Sequence, residues 1–284
     1  MADRPFSFLD IANVEPLTIV DVGASALEET AAYHEIAART GSRVIGFEPD
    51  QSACTNLNAA ARPGHTYFPL AIGAGGSASL YETVHPLSSS LYKPDAELLK
   101  HFTMFDRLMA IKRVHTLDTH RLDDVVSAAE IDFLKMDVQG AELDVLRGAE
   151  RLLPSILMIQ TEVEFLPIYE HQPLFADVDK YLRAAGFQLH KFFEFRKPFY
   201  TPLAAPNGTI GDFSQVMWTD AVYIPDVRSL HRVSSERLLK LVTLLHDLHG
   251  SIDLCAHILM LMRERGNDVP FDAYIGRCMA LHRA

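Results

Sequence analysis

Short runs of valine, isoleucine and phenylalanine, bounded by turn residues, recur along most of this chain and are typical of buried strands. They predict seven strands, at residues 18–22, 43–47, 66–72, 132–137, 156–162, 186–194 and 216–224. Amphipathic helical patterns separate several of them, at residues 28–40, 51–61, 117–129, 141–153 and 174–185. Because strand and helix alternate, we expect parallel pairing through right-handed crossovers in an α/β, Rossmann-like sheet.

Two long segments depart from this alternation. Residues 196–215 join the last two predicted strands without a helical pattern, so these strands should form an antiparallel hairpin at one sheet edge. Residues 73–115 look irregular, apart from an amphipathic stretch at 95–111. Long segments of this kind inside compact domains commonly serve as lids or binding loops.

The strand pattern stops near residue 225, and helical periodicity replaces it. Leu238, Leu241 and Leu245 lie on one apolar stripe, Gly250 suits a helix end, and Ser251 suits the start of a second helix. We therefore divide the chain into an N-terminal segment 1–17, a domain 18–226 and a helical C-terminal extension 227–284. The stripe must pack on the main domain or on a second copy, and we favour a homo-oligomer through these helices.

Charge and composition narrow the function classes. Lysine and arginine number 26 against 37 aspartate and glutamate, a formal charge of −11 that disfavours nucleic-acid and anionic-membrane partners. No run approaches the roughly 20 apolar residues of a membrane span, and MADRPFSFLD lacks a signal-peptide core, so we expect a cytoplasmic protein. Three distant cysteines indicate neither a disulfide framework nor a structural zinc site.

Candidate chemistry lies at the ends of the first two strands, IVDVGAS (19–25) and RVIGFEPD (43–50). The first ends in Asp21 and Gly23, and a glycine turn brings bare backbone close to a ligand. The second ends in Glu48, where a carboxylate can accept hydrogen bonds from both ribose hydroxyls. Together they predict a nucleoside-containing cofactor.

The residues after Gly23 indicate which cofactor this is. They are Ala24, Ser25, Ala26 and Leu27, so the glycines that a dinucleotide pyrophosphate needs are missing, and a P-loop lysine is missing too. An NAD-dependent oxidoreductase is therefore disfavoured. S-adenosylmethionine (SAM) fits, with its adenosine on Glu48 and its amino-acid tail at the glycine turn.

The stretch IDFLKMDVQGAELDVLRGAERLL (131–153) resembles the signature of the FkbM-family SAM-dependent methyltransferases. Further pieces match in order, namely IVDVGAS, FEPD (47–50), LAIGA (70–74), SSSL (88–91) and VHTLD (114–118), and the resemblance covers roughly residues 18–225. It departs at Ser25 and Leu27, where the family usually has asparagine and glycine, and at Gln139, where it often has glutamate.

The resemblance implies a class I methyltransferase sheet and O-methylation of a hydroxyl on a small-molecule or glycan acceptor, a sugar or polyketide-like natural product. The departures leave an alternative open, a degenerate methyltransferase fold that acts as a SAM-binding or assembly partner without catalysis.

We assign individual roles from strand position and from the resemblance. Asp137, Glu162 and Glu164, at or near the ends of adjacent strands, are candidate catalytic bases, whereas Glu142 should serve the N-terminus of its own helix. Mg²⁺ is an alternative to a base that we do not favour, and we assign no metal ligands. Ser89 and Ser90 either contact the cofactor or form a local serine turn. The candidate cofactor-binding residues are Asp21, Gly23, Ser25, Glu48, Ala71, Ile72, Ser89 and Ser90.

Overall fold

The computed structural model describes residues 6–25, 33–126, 131–193, 195–204 and 213–281. Its strands are β1 Thr18–Val22, β2 Arg43–Phe47, β3 His65–Phe68, β4 Ala71–Ile72, β5 Gly76–Thr83, β6 Ile111–His120, β7 Phe133–Met136, β8 Met158–Glu164, β9 Phe187–Phe192 and β10 Trp218–Pro225. Its α-helices are α1 Tyr33–Thr40, α2 Gln51–Ala59, α3 Ala96–Leu99, α4 Phe105–Leu108, α5 Leu122–Val125, α6 Glu142–Gly148, α7 Phe175–Ala184, α8 Ser235–Asp247, α9 Ile252–Glu264 and α10 Phe271–Leu281.

Seven strands form the main sheet in the order β3-β2-β1-β7-β8-β10-β9. All neighbours pair in parallel except β10, which is antiparallel to both β8 and β9. The expected sheet, mostly parallel with antiparallel pairing at one edge, is confirmed. From β1 the chain continues to β2 on one side, whereas β7 lies on the other side. The carboxyl ends of β1 and β7 therefore border the crevice where open α/β sheets bind ligands.

The structure corrects three local predictions. The single strand at 66–72 is two elements, because β3 ends at Phe68 and Ala71 begins β4 in a second sheet of order β4-β6-β5. The segment 73–115 is not irregular throughout, since β5 and β6 pair as a long antiparallel hairpin. The helix at 117–129 is wrong, because residues 117–120 finish β6 and helix α5 is four residues long.

The first predicted helix is seen in part, because its beginning falls outside the described residues, which resume with α1 at Tyr33.

Two apolar cores cover the two faces of the main sheet. One holds Val20, Leu134 and Ile159 from the strands together with side chains of α6 and α7. The other holds Ile19 and Phe133 with the C-terminal helices, whose stripe includes Leu238, Leu241, Leu245, Ile258 and Met262. The tail is helical as predicted, and its stripe is buried within one chain. Association of two copies stays a prediction, although the stripe that suggested it is covered.

The N-terminal segment also joins this second core. Phe8 is fully buried, and its backbone N–H donates to Asp247 at the end of α8 over 3.1 Å. The Ser7 hydroxyl donates to the other oxygen of the same carboxylate over 3.0 Å. Across the described ranges, every helix falls short of the length and hydrophobicity that a membrane crossing requires.

Candidate active site

Gly23 closes the first strand at a point where no side chain fits. Its φ is +83°, and a Cβ atom would lie 1.9 Å from the carbonyl oxygen of Asp137. Its N–H donates to the carbonyl of Phe47 over 3.0 Å, so Gly23 ties the ends of β1, β2 and β7 together. The glycine that predicted close approach to a ligand therefore allows close approach of the protein's own backbone. Ser25 follows half-buried, and Leu27 lies outside the described residues.

Asp21 is buried and bound by protein side chains. The Tyr33 hydroxyl donates to its carboxylate over 2.5 Å, and the Lys135 ammonium lies 3.5 Å away. Lys135 is directly opposite Asp21 in the β1–β7 register, so this contact follows from parallel pairing. The sequence reasoning missed both partners, and the lysine of the LKMD motif was the available signal.

Glu48 lies half-buried just beyond β2. Its Oε1 accepts from the N–H of Asp50 over 2.8 Å, whereas Oε2 has no hydrogen-bond partner in the described part of the chain. Burial raises the pKa of this carboxyl above its ordinary value. The Glu48 N–H donates to the carbonyl of Phe68, whose ring is 41% exposed and stacks on Phe47 at 5.9 Å. The backbones of Glu48 and Phe68 thus lie side by side where β2 and β3 end.

The other candidate cofactor residues have contacts within the chain. Ala71 and Ile72 are buried in β4, and Ile72 packs in the same core as Phe47. The Ser89 hydroxyl accepts from the Thr83 N–H over 3.2 Å. The Ser90 hydroxyl donates to the carbonyl of Gln139 over 2.5 Å and accepts from the backbone N–H two residues later, as in a serine turn.

Carboxyl groups converge where β7, β8 and β10 meet. Asp137 follows β7, Glu162 and Glu164 end β8, and Asp220 stands opposite Glu162 in the antiparallel β8–β10 register. Glu142 opens α6 and is 2% exposed. We name these five residues the carboxyl cluster. The structure thus brings together all three predicted base candidates and adds Asp220, whose position depends on the β8–β10 pairing.

Burial is the main electrostatic feature of the carboxyl cluster, because each charge loses solvation and repels its neighbours. Burial raises the pKa of Glu142 to about 8, and the Asp137 charge adds to the effect. Burial and then the Asp137 charge raise the pKa of Glu162 well above its ordinary range. Burial, followed by Glu142 and Asp137, does the same to Glu164. Glu142, Glu162 and Glu164 therefore retain protons at pH values where exposed carboxyls are ionised.

Gln139 links the members of this cluster. Its Nε2 donates to Asp137 Oδ1 over 2.8 Å and to Glu162 Oε1 over 3.1 Å. Its Oε1 accepts from the Tyr169 hydroxyl over 3.0 Å. Glu142 Oε1 accepts from the Val138 N–H over 3.0 Å, four residues before Glu142, so its electrostatic role at the N-terminus of α6 stays a prediction. Sequence reasoning missed Tyr169, which lies between β8 and α7 in a segment without a periodic pattern.

Among the described ranges, no group of three or more histidine, cysteine, aspartate or glutamate side chains has an arrangement that could hold a metal ion.

One known protein is similar to part of this chain. The 2-O-methyltransferase NoeI of Sinorhizobium fredii (strain NBRC 101917 / NGR234) is 38% identical over 98 residues, which are 33% of this chain and 38% of that protein. The match therefore spans well under half of that relative.

Two solved structures are distant. Methyltransferase FkbM from Methylobacillus flagellatus KT is 18% identical, with a TM-score of 0.42 over 74% of this chain and 43% of that one. An S-adenosylmethionine-dependent methyltransferase from Mesorhizobium loti is 13% identical, with a TM-score of 0.37 over 75% and 93% of the two chains. The model of the methyltransferase FkbM domain matches residues 21–189, which is more than half of the sequence. This chain belongs to the FkbM methyltransferase family.

Proposed function

We propose that this protein transfers a methyl group from SAM to a hydroxyl of a sugar or polyketide-like natural product. The observation that carries the proposal is the carboxyl cluster, because a buried base beside the cofactor crevice is what an alcohol acceptor requires. The relative named a 2-O-methyltransferase supports an oxygen as the methylated atom.

The residues around the crevice fit SAM in chemical character. Glu48 offers a carboxylate oxygen without a partner among the described residues for the ribose diol, and the partly exposed Phe68 at the end of the neighbouring strand β3 offers an apolar surface near this crevice. We place the methionine end near Asp21, Gly23 and Ser25, at the carboxyl end of β1. Ala71, Ile72, Ser89 and Ser90 complete the cofactor-binding set that we propose.

When bound, SAM supplies a methyl group on a sulfonium centre, whose carbon–sulfur bond breaks with its electron pair left on sulfur as the carbon–oxygen bond forms. The chain aligns the acceptor hydroxyl with that methyl group, and alignment of this kind contributes up to roughly 7 to 11 kcal/mol. Asp137 or Glu162 accepts the hydroxyl proton, which is worth about 10² to 10⁴ in rate. Glu164 lies two residues after Glu162 on the same face of β8 and is the third candidate base.

Calorimetry of SAM and S-adenosylhomocysteine tests the cofactor assignment without an acceptor. We expect Glu48→Ala to weaken SAM binding at least tenfold, because each charge-assisted hydrogen bond to the ribose contributes about 1.5 to 3 kcal/mol. Glu97→Ala is the matched control, since the Glu97 side chain is 86% exposed on α3 and should leave affinity unchanged. Equal affinities of wild type and Glu48→Ala would remove Glu48 from the ribose site, and absence of binding to wild type would refute SAM dependence.

A further inference from the structure

Gln139 has an unusual backbone for a residue with a long side chain. Its φ is +57°, the left-handed conformation that glycine and asparagine adopt more readily. Its carbonyl is held by the Ser90 hydroxyl, and its amide oxygen by Tyr169, whose hydroxyl also lies 3.1 Å from the carbonyl of Ser88. Ser90 therefore holds the Gln139 backbone, and the single hydroxyl proton of Tyr169 is shared between the Gln139 amide oxygen and the Ser88 carbonyl.

The direction of the Gln139 amide follows from its partners. Its nitrogen carries two hydrogens and accepts none, so Asp137 Oδ1 and Glu162 Oε1 both act as acceptors. If the amide were reversed, its carbonyl oxygen would face two carboxyl oxygens, which is favourable only when both are protonated. Each of the two N–H groups thus donates to one carboxyl, over 2.8 Å to Asp137 and over 3.1 Å to Glu162. The two accepting oxygens are therefore closer to each other than the sum of these two distances.

We propose that Gln139 is a positioning residue that joins Asp137 and Glu162 into one base, which carries a single negative charge and accepts a single proton. The inference rests on the proposed function, because it concerns the base of that reaction. A shared charge follows from the geometry, since one nitrogen atom bridges the half-buried Asp137 carboxyl and the buried Glu162 carboxyl, and two negative charges held this close repel each other. The amide stabilises the charge on either member, so the proton can reside on the other.

Other charged and titratable groups face this pair and set its background. Three carboxyls on α6, β8 and β10 disfavour a second negative charge, Tyr169 packs from the loop before α7, and two cations lie near Asp220. They are Glu142, Glu164, Asp220, Tyr169, Lys135 and Arg196. None of these groups is removed in a Gln139 variant, so a change in titration there reports the loss of the contacts that Gln139 makes.

Carboxyl-carbon NMR of protein labelled in aspartate and glutamate tests the proposal on the cofactor-free chain. The Glu162 and Asp137 signals are assigned from Glu162→Gln and Asp137→Asn. In wild type we expect both signals to shift together with one common midpoint. In Gln139→Met, which removes both donors at similar length, the midpoint should rise by one pH unit or more, and Gln139→Glu should raise it further by adding a third carboxyl.

Gln188→Glu is the matched control, because it makes the same chemical change on β9, outside the carboxyl cluster. Gln139→Asn keeps an amide and tolerates the left-handed backbone, so it replaces Gln139→Met if that variant does not fold. It is one methylene too short to bridge, and its midpoint should also rise. An unchanged midpoint in a folded Gln139→Met or Gln139→Asn variant, or independent midpoints in wild type, would overturn the proposal. S-adenosylhomocysteine calorimetry on the same samples tests the proposed function separately.

Discussion

Replacing Glu142 by glutamine should change how stability depends on pH. Glu142 is 2% exposed at the start of α6, and its Oε1 accepts from the Val138 N–H. Glutamine keeps the shape and the acceptor atom but never ionises. Burial, with a smaller contribution from the Asp137 charge, raises the pKa of Glu142 from 4.5 to about 8 in the folded protein.

The direction of the effect follows from proton binding. Between pH 4.5 and about 8 the folded state holds the Glu142 proton and the unfolded state has released it. The stability that this proton contributes is complete below the unfolded pKa and is lost as pH rises towards the folded pKa. For this carboxyl alone, the unfolding free energy should fall by about 3 kcal/mol between pH 5 and pH 8.

Chemical denaturation at pH 5, 6, 7 and 8 measures the difference directly. We expect wild type and Glu142→Gln to differ little at pH 5 and the variant to gain about 3 kcal/mol on wild type by pH 8. Glu150→Gln, an exposed position just after α6, should show no such trend. If the difference between wild type and Glu142→Gln is the same at all four pH values, Glu142 ionises equally in both states and the reasoning is refuted.

Further changes test the packing, the chemistry and the assembly. Gly23→Ala should lower the free energy of unfolding by more than roughly 2 kcal/mol, because the added Cβ meets the Asp137 carbonyl. Gly41→Ala, also at positive φ but facing open space, should cost about 1 kcal/mol when both variants are measured by thermal unfolding. Leu245→Ala, fully buried under the sheet, should lose about 2 to 5 kcal/mol, and exposed Met279→Ala almost nothing. Asp137→Asn should lower turnover about a hundredfold if Asp137 is the base, and turnover within threefold of wild type would argue against that role; wild-type turnover that survives EDTA would argue against Mg²⁺. Light scattering on the full chain should give the mass of a dimer, and a monomer at micromolar concentration would contradict the predicted oligomer.

The main sheet could be predicted because its central strands β1, β2 and β7 contain apolar runs that are recognised without distant information. The β5–β6 hairpin could not, because its stabilising contacts are between strands. Residues 111–120 of β6 are mostly exposed and carry little of the apolar alternation by which a strand is recognised. Pairing with Gly76–Thr83, 28 to 43 positions earlier, satisfies their backbone groups and decides against the predicted helix.

The tail illustrates the same division between local and distant information. The repeat of Leu238, Leu241 and Leu245 predicts a helix and an apolar face, and both are present. The identity of the covering surface is a property of the whole fold, which places the face against Ile19 and Phe133 of the sheet. In the sequence, the apolar stripe had no evident surface to cover it, which suggested that a second copy of the chain would do so. In the structure, the chain itself supplies the covering surface.

Only those members of the carboxyl cluster that lie at the ends of parallel strands could be predicted from the sequence. Parallel strands present their carboxyl ends at one edge, so the residues after β7 and at the end of β8 had to meet there. β10 runs the other way, and it is therefore the beginning of this strand that reaches the same edge and sets Asp220 opposite Glu162.

The position of Gln139 follows neither from the parallel strand ends nor from the reversed direction of β10. Its place between Asp137 and Glu162 depends on a left-handed backbone, which its residue type rarely adopts, and on the contacts that Ser90 and Tyr169 make from two separate loops. Strand order thus concentrates carboxyl groups at the edge where β7, β8 and β10 meet. The loops add hydrogen-bond donors, among them the Gln139 amide, that stabilise the negative charge there. Because those donors come from segments without periodic pattern, the part of the site that is hardest to predict is also the part that we propose to control its protonation.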